Sequence, residues 1–209
     1  MPTAPVMRVL SVARGRSQPL PEAGVRPGTN SPVLSAIRKA PCSSLVHPDR
    51  IALTANGVVD DEQADRRVHG GPLKAVYVYP AEHYAWWQTR RDEAHAGAAP
   101  LAFGAFGENL TLEGLLESDV WIGDSLQIGD CVLRVESPRR PCYKFNAVMG
   151  YRRAARDMLS TGRSGFYLSV QQAGTLSAGD AVRLIPGPRL VTLTEVNRQR
   201  FAESGHELF

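Results

Sequence analysis

The sequence predicts a mainly β protein, an antiparallel barrel with peripheral helices and a short C-terminal helix. Three observations predict it. Short apolar stretches recur between turn residues, most clearly Trp121–Asp124 and Asp130–Glu136 on either side of Gly129, which fits antiparallel strands better than repeated strand–helix crossovers. The 209 residues include 19 Gly and 15 Pro, which implies many turns and argues against an all-helical bundle. Helical periodicity is confined to a few segments, one of them near the C-terminal end.

Val6–Val12 reads as a short, partly apolar strand, followed over Arg14–Asn30 by a long loop rich in Pro, Gly and polar residues. Ile51–Thr54 and Val58-Val59 form short strands about an Asn56-Gly57 turn, and Lys-Ala-Val-Tyr-Val-Tyr over Lys74–Tyr79 gives a stronger strand signal. Pro80 stops that strand and opens a helix running towards Arg91. Tyr84 and Trp87 share one face of it, and Glu82 stands near its start. Gly97–Gly107 is loop-rich, and Asn109–Thr111 leads into a helical or irregular turn at Glu113–Glu117. Val148, Met149, Arg152, Ala155 and Met158/Leu159 recur at helical spacing, which predicts one helix over Asn146–Leu159 that ends at Gly162. Gly165–Val170 and Asp180–Ile185 are later strands, and Thr192–Glu195 has the spacing of a capping box before a terminal helix with Val196, Arg200 and Phe201.

A chain of this length holds one domain, or one domain with a small appendage, and buries roughly 70% of its unfolded surface, so it needs no disulfides for stability. Hydrophobic residues are 43% and charged residues 22%, and the formal charge of +3 assists an anionic partner without demanding one. Extended basic and aromatic tracks are absent, which sets nucleic acid aside as a partner. With no segment of membrane-span character, and with Pro2 and Pro5 in place of a signal peptide's basic and apolar regions, a cytoplasmic location is expected. Cys42, Cys131 and Cys142 cannot all pair within one chain and lack zinc-site spacing.

Three segments carry chemistry. In Ser137-Pro138-Arg139-Arg140-Pro141-Cys142-Tyr143-Lys144, between an apolar strand and a helix, the prolines restrict the backbone, and Arg139, Arg140 and Lys144 lower a nearby thiol's pKa and attract an anion. Cys142 is then a structural or exposed thiol, a metal or cofactor ligand, or a nucleophile; for the last, no base can be assigned among His69, His83 and His95. In Gln63-Ala64-Asp65-Arg66-Arg67-Val68-His69-Gly70-Gly71-Pro72-Leu73-Lys74, Asp65 can orient an arginine, Arg67 can bind phosphate, and Gly70-Gly71 lets backbone amides approach a ligand; a turn held by a surface ion pair is the plainer alternative. In Phe103-Gly104-Ala105-Phe106-Gly107-Glu108-Asn109-Leu110, Asn109 can hydrogen-bond a heterocycle and Glu108 can hold a basic group, or the segment is a barrel turn. Cys131 reads as a small buried hydrophobe, Cys42 as a thiol in a polar loop, and Tyr84, Trp86 and Trp87 as packing of a helix on the barrel.

Together with Tyr79-Pro80-Ala81-Glu82-His83-Tyr84 and Ile122-Gly123-Asp124, these segments resemble, in order and spacing from about residue 8 to residue 201, the YiiM-like branch of the MOSC family. The resemblance implies a MOSC-type closed or partly closed β-barrel over residues 1–190, and a shortened helical appendage over residues 191–209, because many such chains continue into three helices after the segment matching Thr192–Phe201. Many also have Gly-Asp where this chain has Asp60-Asp61. It further implies a molybdenum cofactor (molybdopterin with Mo) with Cys142 as metal ligand, and Arg67, His69, Gly70, Gly107, Glu108, Asn109, Arg139 and Lys144 as cofactor contacts. His69 and Asn109 are expected to join Cys142 in catalysis.

The implied reaction is reduction of N-hydroxylated bases such as 6-hydroxylaminopurine, or related small N-hydroxylated compounds, to amines. Electrons must come from a separate reductase, since the sequence has neither a dinucleotide glycine fingerprint nor an iron–sulfur cysteine pattern. The alternative is a non-catalytic cofactor-binding or sulfur-handling module in which Cys142 carries or docks a group.

Overall fold

The structure, a computed structural model, describes residues 6–64 and 70–204. Its first half lays down β1 (Arg8–Arg14), a two-residue hairpin of β2 (Gln18–Pro19) with β3 (Leu34–Ser35), β4 (Ala40–Ser44), and the short pair β5 (Ile51–Thr54) and β6 (Gly57–Val58). Then follow β7 (Val76–Pro80), α1 (Tyr84–Ala94), β8 (Leu110–Glu113), β9 (Ser125–Ile128) and β10 (Cys131–Pro138). The chain continues through α2 (Tyr143–Met149), α3 (Ala154–Thr161), β11 (Phe166–Gln172), β12 (Gly174–Leu176), β13 (Val182–Ile185) and α4 (Leu193–Ser204).

Eight strands form one sheet in the order β13-β9-β10-β11-β7-β8-β1-β4. All its pairs are antiparallel except β7 with β8, whose connection passes through α1 and so returns the chain in the same direction. The sheet curls until the start of β1 meets the approach to β13: the Val9 amide donates to the Asp180 carbonyl at 3.0 Å, Gly179 donates to Val9 at 2.8 Å and Val182 to Met7 at 2.9 Å. This is a mainly β, partly closed barrel with peripheral helices and a short C-terminal helix, as the sequence and its family resemblance predict. No helix among the described residues is long and apolar enough to cross a membrane.

Alternation explains the barrel's interior. In β10, Cys131, Leu133 and Val135 are buried while Val132, Arg134 and Glu136 are less so, and the inward set joins Val9, Val12, Leu110, Leu112, Leu126, Ile128 and Phe166 in the main core. β7 is buried on both faces. Val76 and Val78 enter the main core, whereas Tyr77 and Tyr79 turn to a second, aromatic cluster with Trp87, Phe106, Phe145 and Met158 under the helices. The Trp87 indole donates to the Tyr79 hydroxyl at 2.5 Å, and that hydroxyl donates to the Arg163 carbonyl at 2.9 Å, so both polar tips are satisfied inside the cluster.

Three local expectations are corrected, and one strand appears that the sequence did not predict. Trp121–Asp124 is not a strand: Gly123 has φ +91 and the Asp124 carboxylate accepts the Trp121 amide at 3.1 Å, making a turn that delivers the chain to β9. The single helix over Asn146–Leu159 is two helices, because Gly150 takes φ +81 and its amide closes α2 on the Asn146 carbonyl at 3.0 Å. Arg14–Asn30 is not entirely loop, since it includes β2, and β4 is a strand whose polar residues gave no periodic signal.

Candidate functional site

The site begins where β10 ends. Pro138 closes the strand, the Arg139 amide still donates to the Gly165 carbonyl at 3.3 Å, and Pro141 restricts the backbone just before Cys142. Cys142 keeps an extended backbone, φ −126 and ψ 175, and its carbonyl accepts the Phe145 amide at 2.8 Å as α2 starts. Phe145 is fully buried against Trp87, with ring centroids 5.4 Å apart, so packing on α1 anchors the helix that follows the cysteine. The Cys142 side chain is half-buried on the wall of a cleft. None of the three cysteines forms a disulfide.

Arg139 forms the inner wall of the cleft. Its guanidinium is buried, donates to the Phe106 carbonyl, and lies 4.8 Å from the centroid of the Tyr77 ring and 5.1 Å from that of Phe145. Burial works against its charge, but Tyr77, Tyr167 and Cys142 outweigh burial and the group stays cationic. Tyr77 and Tyr167 face each other across β7 and β11 with centroids 5.1 Å apart, and burial pushes both phenols above their ordinary pKa. Lys144, in the first turn of α2, reaches across the cleft and donates to the Leu34 carbonyl at 2.9 Å.

A second group of polar residues sits on the β1 and β8 side. Asn109 joins three strands: its carbonyl accepts the Ala13 amide at 2.7 Å, its own amide donates to the Tyr77 carbonyl at 2.8 Å, and its Oδ1 accepts the Tyr77 amide at 3.1 Å. The Asn109 Nδ2 donates to the Ala13 carbonyl at 3.2 Å and to Asp61 Oδ2 at 2.9 Å. Asp61 in turn binds Lys39, and the two side chains are only 4% and 7% exposed. Gly107 lines the cleft beside them with φ +80, and a Cβ there would stand 3.0 Å from both Cγ1 and the carbonyl oxygen of Ile37.

Cys142, Arg139, Lys144, Asn109 and Gly107, all expected from the sequence, therefore come together on one cleft. Glu108 does not line it. It is fully buried behind the wall, where its carboxylate accepts the Gly104 amide at 2.7 Å, the Phe106 amide at 3.0 Å, the Thr111 hydroxyl at 3.1 Å and the Tyr84 hydroxyl. Burial outweighs these donors and raises its pKa. Gly70 is likewise not among the described lining residues, while Arg67 and His69 lie outside the described residues. Lys39, Asp61, Tyr77 and Tyr167 were not singled out for the site by sequence. The tyrosines had a signal: polar-tipped aromatics at alternate positions of an otherwise apolar strand, as in Tyr77 and Tyr79, mark a face turned away from an aliphatic core. Lys39, in no motif, had none, and Asp61 entered the sequence reading only through the Asp60-Asp61 pair that stands where many relatives have Gly-Asp.

The chain resembles proteins of one kind. A family model described as the MOSC domain matches residues 65–183. Protein YiiM of Escherichia coli (strain K12) is 40% identical over 146 residues, covering 69% of this chain and 63% of that protein. A protein of Gibberella moniliformis named Reductase is 36% identical over 143 residues, 68% of this chain but 25% of that longer protein. The crystal structure of YiiM from Geobacillus stearothermophilus superimposes with a TM-score of 0.67 at 29% identity, covering 94% of this chain and 85% of that one. With more than half its length matched by the family model, over a segment that includes Asn109, Arg139, Cys142 and Lys144 of the cleft, the chain belongs to the MOSC domain family.

Proposed function

We propose that the cleft holds a molybdenum cofactor through Cys142 and that the protein reduces N-hydroxylated bases, or related small N-hydroxylated compounds, to amines with electrons from a separate reductase. The observation that carries this reading is the pairing of a thiol with cationic walls. Arg139 and Lys144 line the Cys142 cleft, and among the described residues their hydrogen bonds go to carbonyls rather than to carboxylates. The two lining carboxylates are engaged elsewhere, Asp61 by Lys39 and Glu62 by Arg16 at 3.2 Å. The resulting positive field suits a phosphate-bearing ligand, and the thiolate of Cys142 is a soft donor for the metal.

The donor set also fits a metal that arrives with ligands of its own. Among the described residues no three His, Cys, Asp or Glu side chains cluster as a metal site, so Cys142 offers a single thiolate and not the closed coordination of a bare zinc ion. When bound, the cofactor supplies the two-electron chemistry of the reduction. The protein's residues hold and orient. Arg139 and Lys144 bind anionic oxygens, Gly107 lets the cleft wall close against Ile37, and Glu108 and Asn109 act through the walls they brace. Arg67, His69 and Gly70 complete the proposed set on the strength of their motif.

The MOSC family and a reductase-named relative support an oxidoreductase role tied to molybdenum cofactor. The test is expression in a cofactor-producing host, elemental analysis, mass spectrometry of the released pterin, and anaerobic assay of N-hydroxylated bases with reduced viologen. Stoichiometric molybdenum with turnover is expected. Fully loaded protein that turns over no such compound with a competent donor would be a cofactor holder and not a reductase.

A further inference from the structure

Reductive cleavage of an N-hydroxyl group consumes protons as well as electrons: R–NH–OH with two electrons and two protons gives R–NH2 and water. A site that performs it needs an acid within reach of the departing oxygen. Among the described cleft residues most candidates are unsuited. Arg139 does not release its proton at any working pH, and Cys142 is the proposed metal ligand. Tyr77 and Tyr167 are buried phenols whose pKa is pushed up, and Tyr77 already donates its hydroxyl proton to the Ser164 carbonyl at 2.7 Å.

Lys39 is different. We propose that Lys39, held at the cleft wall by Asp61 and Asn109, is the acid that protonates the departing oxygen as the N–O bond breaks. The inference rests on the reductive reading above. Its geometry is that of a positioned acid: Asp61 is gripped by three donors, with Oδ1 accepting the Gly15 amide at 2.8 Å and Oδ2 accepting both Asn109 Nδ2 at 2.9 Å and the Lys39 ammonium. That ammonium has three N–H groups, and among the described residues its hydrogen bonding goes to Asp61 alone, which leaves two N–H groups for a ligand in the cleft.

The charges around Lys39 are mixed. Burial lowers its pKa, Asp61 and Glu108 act to raise it, and Arg139 acts to lower it; burial prevails. Lys74, Lys144, Glu62, Cys142 and the two tyrosines line the same cleft. An ammonium so placed gives up its proton more readily than a surface lysine. One electron pair from the donor reduces the N–O bond, the oxygen leaves as water with the proton of Lys39, the nitrogen takes its proton from solvent, and solvent then restores Lys39.

The test compares the cofactor-loaded parent with Lys39→Arg, which keeps the charge and the ion pair with Asp61 but holds its proton. Three readouts are taken: molybdenum and pterin content, the pH profile of kcat with reduced viologen and an N-hydroxylated base, and NMR titration of labelled lysine side chains in each protein. Expected are unchanged cofactor content and a kcat lower by about a hundredfold to ten-thousandfold in Lys39→Arg. The parent's kcat should fall at high pH where one lysine signal titrates, and both that limb and that signal should vanish in the variant. Parental kcat in Lys39→Arg, loss of its cofactor, or a limb that disappears instead in Lys74→Met would each overturn the assignment while parental turnover upholds the reductive reading. A loaded parent without turnover would remove both. Lys39→Met combined with Asp61→Asn, which leaves no buried lone charge, repeats the kinetic arm should the arginine variant fold poorly.

Discussion

Cys142 and Cys131 bracket the same stretch of chain, yet only one is placed for chemistry. Cys131 faces the barrel interior with no exposed surface, and burial raises its thiol pKa to about 11, so it stays protonated and unreactive at neutral pH. Cys142 stands on the cleft wall, where a serine fits the same backbone but lacks the soft donor. Cys142→Ser should therefore lose molybdenum and turnover while shifting stability by no more than about 0.5 kcal/mol, as for a residue outside the core. Near-parental molybdenum content and kcat in that variant would refute its role as ligand. Glu108 gives a prediction of the opposite kind, on stability and not on binding. Its folded-state pKa is raised by burial, so the native state holds the proton more tightly than the unfolded chain does. The stabilisation from this proton is complete below the unfolded value of about 4.3 and is lost as pH rises through the raised folded value. Glu108→Gln removes that dependence and turns an amide donor on one of the N–H or O–H groups that the carboxylate accepted, costing about 1–3 kcal/mol. Thermal melts from pH 4 to 8 should show the parent losing stability with rising pH while the variant stays flatter, so the gap between them narrows; a gap that widens would contradict the burial argument.

Elements were legible where local chemistry decides them and illegible where tertiary placement does. The exit of β10 at Pro138 and the start of a helix beside Cys142 follow from two prolines between an alternating strand and an apolar periodic run, and the structure has both. The same periodic run misled over Asn146–Leu159, because the apolar spacing carries on across Gly150 as though no break were there. Gly150 is the break: it caps α2 in the left-handed region at φ +81, and α3 starts afresh at Ala154. Glu108 and Asn109 were found as residues but not as roles, since a sequence does not show that one side chain turns behind the wall and the other joins three strands. For Gly150→Ala a Cβ would meet only the His95 ring, at 3.4 Å, so the cost is conformational and not steric. Forcing an L-residue into that region costs roughly 1–2 kcal/mol. The variant should lower the urea midpoint accordingly with an unchanged m-value. No change in midpoint would mean that the helices accommodate a different join.

At the scale of the whole molecule the question is whether the chain after residue 190 is an appendage or part of the barrel. The family resemblance implied a boundary at 190/191, and the capping box of Thr192 and Glu195 announces a helix just after it. That box is present, with Thr192 Oγ1 accepting the Glu195 amide at 3.0 Å and Glu195 accepting the Thr192 amide at 2.7 Å. The contacts of α4 nevertheless run into the barrel. Leu193 is fully buried in the main core, and its amide donates to the Val120 carbonyl at 3.2 Å. Asn197 donates to the Ser164 hydroxyl at 3.0 Å, and Arg200 donates to the Pro138 carbonyl at 2.6 Å, at the very end of β10 and four positions before Cys142. A helix tied down in this way is expected to unfold with the sheet it packs on. Leu193→Ala leaves a cavity in that shared core and should cost about 2–5 kcal/mol. Denaturation followed by far-UV circular dichroism and by tryptophan fluorescence should then give one transition, with both probes shifted together to lower denaturant. Two separated transitions, the first confined to helical signal with fluorescence unmoved, would show that residues 191–209 behave as a unit of their own and that the boundary implied by the family resemblance is also a boundary in cooperativity.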